Sequence, residues 1–344
     1  MNILLVSLGI TFLLIVCFSR LFRTVGWLDK PQLFGYQRSP VPYGIGIVFF
    51  LVFLLLVFSF LSITLKLTAV LTASGLITLV SFIDDRLGLS ASYRLGIQII
   101  SALIIVLAGI GVPAISNPFG GMIVLDSVRW TLELGGVQIL IEPLANLVAL
   151  LWIVFVMNAM NWLDGSPGIV SGISTIACFV LYGLASMSEL HVIDQSTLST
   201  MALILGGSSL VFLCFDFPKP KILMGDSGTM FLGLMIAVMA IFSGGKLATA
   251  FIVLAFPILD AAWTIVRRII KRQSPFKGDF QHFHHELMKA GLSQRQVNIF
   301  YYVVSLCFGF IALFLQSFGK LLAILLLFGL MVTVRLIFLR KKSE

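Results

Sequence analysis

Charged residues are what this 344-residue chain has least of: Asp, Glu, Lys and Arg make up 11% of it, against 59% hydrophobic residues. That balance excludes a soluble globular domain, where about a quarter of residues carry charge. Alternation of apolar and polar residues is also missing, so a transmembrane β-barrel is excluded; the apolar runs are continuous. Cysteine is scarce, and Cys17, Cys178, Cys214 and Cys307 all fall inside apolar runs without ligand spacing. They read as small buried hydrophobes, which excludes a disulfide framework and a thiolate metal centre. No Lys or Arg precedes the first apolar run, so it reads as an uncleaved first span instead of a signal peptide. Internal repeats, low-complexity segments and long linkers are lacking, which leaves one domain over residues 1–344.

What is present is a series of eleven apolar runs, at 3–22, 43–63, 67–83, 94–112, 143–160, 168–187, 198–215, 228–243, 247–266, 297–316 and 321–339. Each is near the ~20 residues that cross a bilayer. The expected fold class is all-α, a polytopic membrane helical bundle with the N-terminus outside and the C-terminus cytoplasmic. Basic residues test that orientation. Nineteen of the 23 Lys and Arg fall on the inner side, leaving Lys66, Arg129, Lys246 and Lys320 outside. This is the positive-inside bias, and it explains the net charge of +8 without nucleic-acid binding. On the outer side, the loop 113–142 has β-like stretches around Gly135-Gly136 that suggest a small hairpin, and the loop carries Asp126, Glu133 and Glu142.

Polar residues gather at the inner ends of separate helices, in the loops 23–42, 84–93, 161–167, 216–227 and 267–296. Asp84 and Asp85 end the third run, and Asn158, Asn161 and Asp164 end the fifth at three-residue spacing. Asp216 and Asp226 flank the next inner loop. Asp260, with Arg267 and Arg268 after it, lies in the ninth run. His282, His284 and His285 follow within "GDFQHFHHELMKAGLSQRQV".

Each element also has a plain explanation. An acid pair can simply end a helix at the water interface, and paired asparagines can serve as interhelical hydrogen-bond glue. Near phosphates, however, paired carboxylates can hold Mg²⁺ with several of its waters. The Asn-x-x-Asn-x-x-Asp row can line one cavity. Asp260 costs about 2.5–3.5 kcal/mol to insert unless it pairs with an arginine of a neighbouring helix or faces a polar cavity. The cavity reading suits the other residues better. For the histidine segment, a helix starting at Phe280 after an Asp279 cap would put Phe280, Phe283 and Leu287 in the membrane interface, with the imidazoles on other sides. Zinc fits this oxygen-rich neighbourhood less well than magnesium.

Taken in order, "LDKP…SPVPYGIG", "DDRLGLS", "NAMNWLDG", "KILMGDSGTMFLG", "PILDAAWTIVRR" and "HFHHELMKAGLSQRQV" span most of the chain. Together they resemble the polyprenyl-phosphate N-acetylhexosamine-1-phosphate transferase family. The resemblance implies transfer of a sugar-1-phosphate from a UDP-sugar to a membrane polyprenyl phosphate such as undecaprenyl phosphate, with release of UMP. It implies a bacterial cytoplasmic-membrane enzyme with its site facing the cytoplasm, and makes a homodimer plausible. Asp226 and Asn161 would hold Mg²⁺, with Mn²⁺ as its substitute. Asp84 and Asp85 would act with Asp226 in catalysis. Asn158, Asn161, Asp164, Arg86, Asp260, Arg267, His282, His284 and His285 would bind substrate, with Lys219, Lys221 and Arg268 as further cations. The histidine segment looks more like the UDP-GlcNAc or UDP-HexNAc branch than the UDP-MurNAc-pentapeptide branch. A secondary transporter would place such groups near the bilayer midplane, in repeated halves. A lipid diphosphate phosphatase would leave the UDP-sugar motifs accidental.

The chain departs from the family pattern at three places. Pro167 stands where a second acid is usual in "DGxDG". Arg38 is the basic residue before "PVP", where Lys and His are usual. Asp216 and Lys219-Pro220 replace an Asn and "PA" before "MGD".

Overall fold

The computed structural model describes residues 2–34, 38–134, 137–187, 195–243, 247–272 and 282–340. Eight of its helices are long and apolar enough to cross a membrane: α1 (Ile3–Thr24), α3 (Leu65–Leu87), α5 (Pro143–Leu163), α6 (Ile169–Met187), α7 (Gln195–Asp216), α8 (Gly225–Phe242), α12 (Gln294–Phe314) and α13 (Ser317–Arg340). α2 (Ile47–Phe60) and α4 (Ala91–Leu107) are shorter apolar helices, and α9 (Leu247–Val253) and α10 (Ala255–Ile270) form one apolar stretch bent by 88°. All eleven expected runs therefore coincide with apolar helices. Only eight are unbroken helices of spanning length; at 1.5 Å per residue, the 14 residues of α2 reach only about 21 Å.

Local signals explain the boundaries. The side chains of Asn2, Thr64 and Ser90 accept N–H bonds at the starts of α1, α3 and α4, and Ser293 with Gln296 forms a capping box on α12. Pro143 opens α5, where its missing N–H costs nothing.

Contacts between helix ends show how the chain runs back and forth. Ile45 and Gly46, just before α2, donate to the carbonyls of Leu223 and Met224 just before α8, at 3.1 and 2.9 Å. Phe22 at the end of α1 lies 6.1 Å, centroid to centroid, from Phe82 at the end of α3. At the opposite end, Lys320 of α13 donates to Thr249 of α9 at 2.8 Å. α8 forms the centre and is almost entirely buried, packed by α2, α3, α5, α6, α7 and α9. Polar glue joins α1 to α7: the hydroxyl of Ser7 donates to the Ile204 carbonyl at 2.6 Å and that of Thr11 to Ser208 at 3.0 Å.

Between α4 and α5 lie two antiparallel pairs, β1 (Ala114–Ser116) with β2 (Met122–Val124), and β3 (Trp130–Leu134) with β4 (Val137–Ile141). The second is the expected hairpin, with Leu134 paired to Val137; its turn residues, 135 and 136, lie outside the described residues. Arg129 ties Asp126 and Glu142 together at 2.6 and 3.1 Å, giving two of the three outer acids a structural partner.

Candidate active site

The leading N–H groups of a helix need acceptors, and the residue before α8, Met224, caps none of them with its side chain. Asp85, in the last turn of α3, supplies the cap. Its Oδ1 accepts the Asp226 N–H at 2.7 Å, and its Oδ2 accepts the Ser227 hydroxyl at 2.9 Å and N–H at 3.3 Å. A carboxylate there also meets the positive end of the helix dipole. Gly225 makes the approach possible: its φ is +74°, and a Cβ on it would lie 2.5–2.8 Å from the Asp85 carboxylate atoms.

Asp84 points elsewhere. It accepts the Leu89 N–H and lies 3.5 Å from Nη1 of Arg94, in the first turn of α4. The same nitrogen donates to Oδ2 of Asp226 at 3.1 Å. The other oxygen of Asp226 accepts from Asn161 Nδ2 at 2.9 Å, and Asn161 also donates to Thr229 at 3.0 Å. One guanidinium thus bridges acids from α3 and α8, and α5 reaches the same carboxylate from the other side. A narrow cleft between α3 and α4 runs from Asp84 and Arg94 to apolar Ile77, Ile97 and Met230.

The expected row on α5 divides. Asn158 is paired reciprocally with buried Gln98 of α4, at 2.6 and 3.3 Å, and donates to Val154 at 2.8 Å, so it acts as interhelical glue. Asn161 and Asp164 belong with the acids. Burial, then the Asp226, Asp216 and Asp85 carboxylates, hold the Asp164 carboxyl well above the usual range. Tyr43, a few residues before α2, sets its phenol beside Asp85 as a hydrogen-bond partner.

The histidines close over the turn after Asp164. A Cβ on Gly165 would run into Nε2 of His284 and come within 2.7 Å of Nε2 of His285. His284 is fully buried and neither ring nitrogen has a hydrogen-bond partner. Burial, then His285 and His282, push its basicity down, so the ring is neutral at pH 7. The helix here, α11 (Phe283–Lys289), starts after His282. Its expected interfacial placement is overturned: Phe283 and Leu287 are buried, with Phe283 stacked on Phe256 at 5.4 Å. Burying those side chains in protein removes more apolar surface from water than a headgroup layer would. The expected cap Asp279 and start Phe280 lie outside the described residues.

Asp260 is buried and its oxygens are taken by Arg335 of α13, His282 and the Phe283 N–H, which is the pairing alternative instead of the open cavity. Arg86 stacks on Trp27 with its guanidinium carbon 3.7 Å from the ring centroid, close enough to its neighbour Asp85 for their charges to interact. Arg267 is half-buried and Arg268 buried in the last turn of α10, while Lys219 and Lys221 are exposed. Of the unusual positions, Asp216 accepts from the Ser171 hydroxyl at 2.9 Å and the Gly168 N–H at 3.2 Å, locking α7 to α6. The carbonyl of Pro167 accepts from Gln294 and Asn298 of α12 at 3.0 and 2.7 Å. Arg38 pairs with Asp29 at 2.6 Å.

Arg94, Gln98, Tyr43, Ser227, Thr229 and Arg335 carry no motif of their own that marks them in the sequence. Arg94 and Gln98 stand four apart on one face of α4, a signal hidden because Arg94 already served as a topological charge. Beside the Arg94 guanidinium, Asp226 and Asn161 offer oxygen donors, which suit a hard cation. Among the described residues no three His, Cys, Asp or Glu side chains form a ready-made metal cage. Mg²⁺ commonly uses one or two carboxylates, waters and substrate phosphates, so these residues fit it by donor chemistry.

Residues 67–244 match the family profile described as Glycosyl transferase family 4. The chain is 30% identical over 279 residues to a Bacillus subtilis protein named probable undecaprenyl-phosphate N-acetylglucosaminyl 1-phosphate transferase, covering 79% of this chain and 72% of that protein. It is 31% identical over 256 residues to a Mycobacterium leprae decaprenyl-phosphate N-acetylglucosaminephosphotransferase, covering 68% of this chain but only 61% of that relative. With the Escherichia coli K12 undecaprenyl-phosphate alpha-N-acetylglucosaminyl 1-phosphate transferase it shares 24% identity over 310 residues, covering 86% of this chain and 78% of the relative.

Proposed function

The chain belongs to glycosyl transferase family 4, and on that premise we propose that it moves GlcNAc-1-phosphate from UDP-GlcNAc to a membrane polyprenyl phosphate, the first step of an envelope glycan. The observation that carries this reading is the single guanidinium of Arg94 set between Asp84 and Asp226, with Asn161 on the far side of Asp226. The cluster combines anionic and cationic groups at the ends of several membrane helices. One substrate there comes from water and the other from the bilayer.

In the reaction an oxygen of the lipid phosphate attacks the phosphorus of the sugar-1-phosphate. The bond from that phosphorus to the UMP oxygen breaks, UMP leaves with the bonding electrons, and a lipid diphosphate sugar remains. A phosphate monoester has a second pKa of about 6, so at pH 7 the nucleophile is already mostly a dianion. The chain's task is then to hold two anions together. Arg94 supplies fixed positive charge, and Asn158 with Gln98 keeps α4 in register so that Arg94 stays there. Asp85 fixes the start of α8 and hence the direction of Asp226. The buried, neutral His284 and its neighbour His285 face the turn after Asp164, where they can donate to or accept from the diphosphate. Mg²⁺ held by Asp226 and Asn161 would offset phosphate charge, including that developing on UMP.

The eleven apolar stretches cross the bacterial cytoplasmic membrane, with the site at the cytoplasmic face. The alternation of helix ends described above and the 19-to-4 distribution of basic residues both support this orientation.

The test is a transfer assay on purified protein with undecaprenyl phosphate, Mg²⁺ and radiolabelled UDP-GlcNAc. Labelled lipid and UMP in equal amounts, both lost on adding EDTA, is the expected result. Product from UDP-MurNAc-pentapeptide alone would overturn the donor assignment, and no lipid product from any UDP-HexNAc would overturn the reaction.

A further inference from the structure

α11 is only seven residues long, and the side chain of its N-cap residue, His282, makes no capping hydrogen bond. A helix this short has no stability of its own in isolation, so its placement must come from tertiary contacts. Two side chains provide them. Asp260 of α10 accepts the Phe283 N–H on Oδ1 at 3.0 Å, capping the helix from outside, and its Oδ2 lies 2.9 Å from Nδ1 of His282. Arg335 of α13 closes the arrangement: its Nη2 donates to Oδ1 of Asp260 at 2.9 Å, and its Nε donates to Glu286 of α11 at 2.7 Å. The guanidinium is buried and also packs over Trp263 and Phe283, at 5.2 and 5.5 Å from their centroids. A forked, planar cation can make both bonds at once; an ammonium makes a point contact only.

This assembly is joined to the α5 row through aromatic contact. The His282 ring lies 5.8 Å from Trp162, between Asn161 and Asp164, and 6.0 Å from the parallel ring of His284. With Nδ1 committed to Asp260, Nε2 is the nitrogen of His282 left for a ligand. We propose that Arg335, on the last helix and far in sequence from the acids, is a positioning residue of the transfer site. Through Asp260 and Glu286 it sets the position of α11 and the ring orientation of His282, without touching substrate itself. The inference rests on the proposed transfer reaction only for its kinetic readout.

The experiment compares wild-type protein with Arg335→Met, Arg335→Lys and Glu286→Gln, each purified in the same detergent. Two quantities are read: kcat and KM for UDP-GlcNAc, and the rate at which diethyl pyrocarbonate modifies His282, mapped by mass spectrometry. Loss of the fork should lower kcat by about tenfold or more in Arg335→Met, since a ~1 Å misplacement of a catalytic group costs up to ~10²-fold. KM should change by less than about threefold, and His282, now protected by burial, should be modified several times faster. Arg335→Lys should recover part of both, because an ammonium still pairs with Asp260. Glu286→Gln should fall between wild type and Arg335→Met. Wild-type kcat in Arg335→Met overturns the inference, and so does a fall in kcat with no change in His282 modification. If wild-type protein transfers no sugar phosphate, the proposed reaction fails, while faster His282 modification in Arg335→Met would still support the positioning of α11.

Discussion

Gly225→Ala adds one methyl group where Asp85 caps α8, and the structure allows its consequences to be separated. The first is backbone strain. Residue 225 has φ +74°, and an alanine in the left-handed region costs about 1–2 kcal/mol. The second is collision. The new Cβ would lie 2.5 Å from Oδ2 of Asp85, and ordinary contact begins near 3.4 Å, so the carboxylate must retreat by about 1 Å. That retreat stretches its bonds to the N–H groups of Asp226 and Ser227 and to the Ser227 hydroxyl. Hydrogen bonds to charged groups contribute about 1.5–3 kcal/mol each, so even partial loss exceeds the strain.

A shift of that size at the base of Asp226 should reduce kcat about 10²-fold. Gly109→Ala is the control. Gly109 has φ +79°, but the nearest atom to its Cβ is Lys66 Cε at 3.9 Å, at the opposite end of the bundle. It should lose the same ~1–2 kcal/mol of stability and keep wild-type turnover. The assay is radiolabel transfer to undecaprenyl phosphate alongside thermal inactivation of both variants. Turnover of Gly225→Ala within about threefold of Gly109→Ala would refute the coupling between the Asp85 cap and the reacting centre.

Three further outcomes follow from the same geometry. Asp226→Asn keeps the side-chain shape but removes the charge shared by Arg94 and Asn161; turnover should fall about 10³-fold with the protein still monodisperse, and full activity would remove Asp226 from the site. Gly165→Ala drives a methyl into the rings of His284 and His285, and kcat/KM for UDP-GlcNAc should fall at least about tenfold, measured in the transfer assay; an unchanged value would detach the histidines from the donor site. His284 is held neutral when folded, whereas an unfolded histidine binds a proton below about pH 6.5. The unfolded state therefore binds more protons there, and stability should fall as pH drops, by up to about 1.4 kcal/mol per pH unit. Thermal inactivation of wild type and His284→Gln between pH 7.5 and 5 checks this, and parallel curves would refute it.

The features legible in the sequence are those whose cause is local. Continuous apolar runs announce α1, α3, α5 and their like because burying or embedding them needs no distant partner. The "MGDSG" stretch announces the start of α8 because an acid in a first turn is favoured by that helix's own N–H groups. The bend of 88° between α9 and α10 carries no comparable local signature: Pro257 follows the break by three residues, and the break itself falls at Leu254, among apolar neighbours. Asp85 was legible as one of an acid pair, but its service as the cap of α8 was not, because donor and acceptor stand 141 residues apart.

The same distance hid the two arginines that organise the acids. Counting basic residues toward the inner face already accounts for Arg94 and Arg335, so in the sequence neither demands another explanation. The expected orientation, however, requires only positive charge near the inner headgroups, a condition that exposed Lys219 and Lys221 meet as well. It gives no reason to bury a guanidinium between carboxylates, as at Arg335, or to bridge Asp84 and Asp226 with one nitrogen, as at Arg94. Desolvating such a group costs several kcal/mol unless its partners are placed to accept its hydrogen bonds, and here acids from α3, α8, α10 and α11 are so placed. Topological charge and site charge are thus the same residue type at the same membrane face, separated only by whether a carboxylate from another helix meets them.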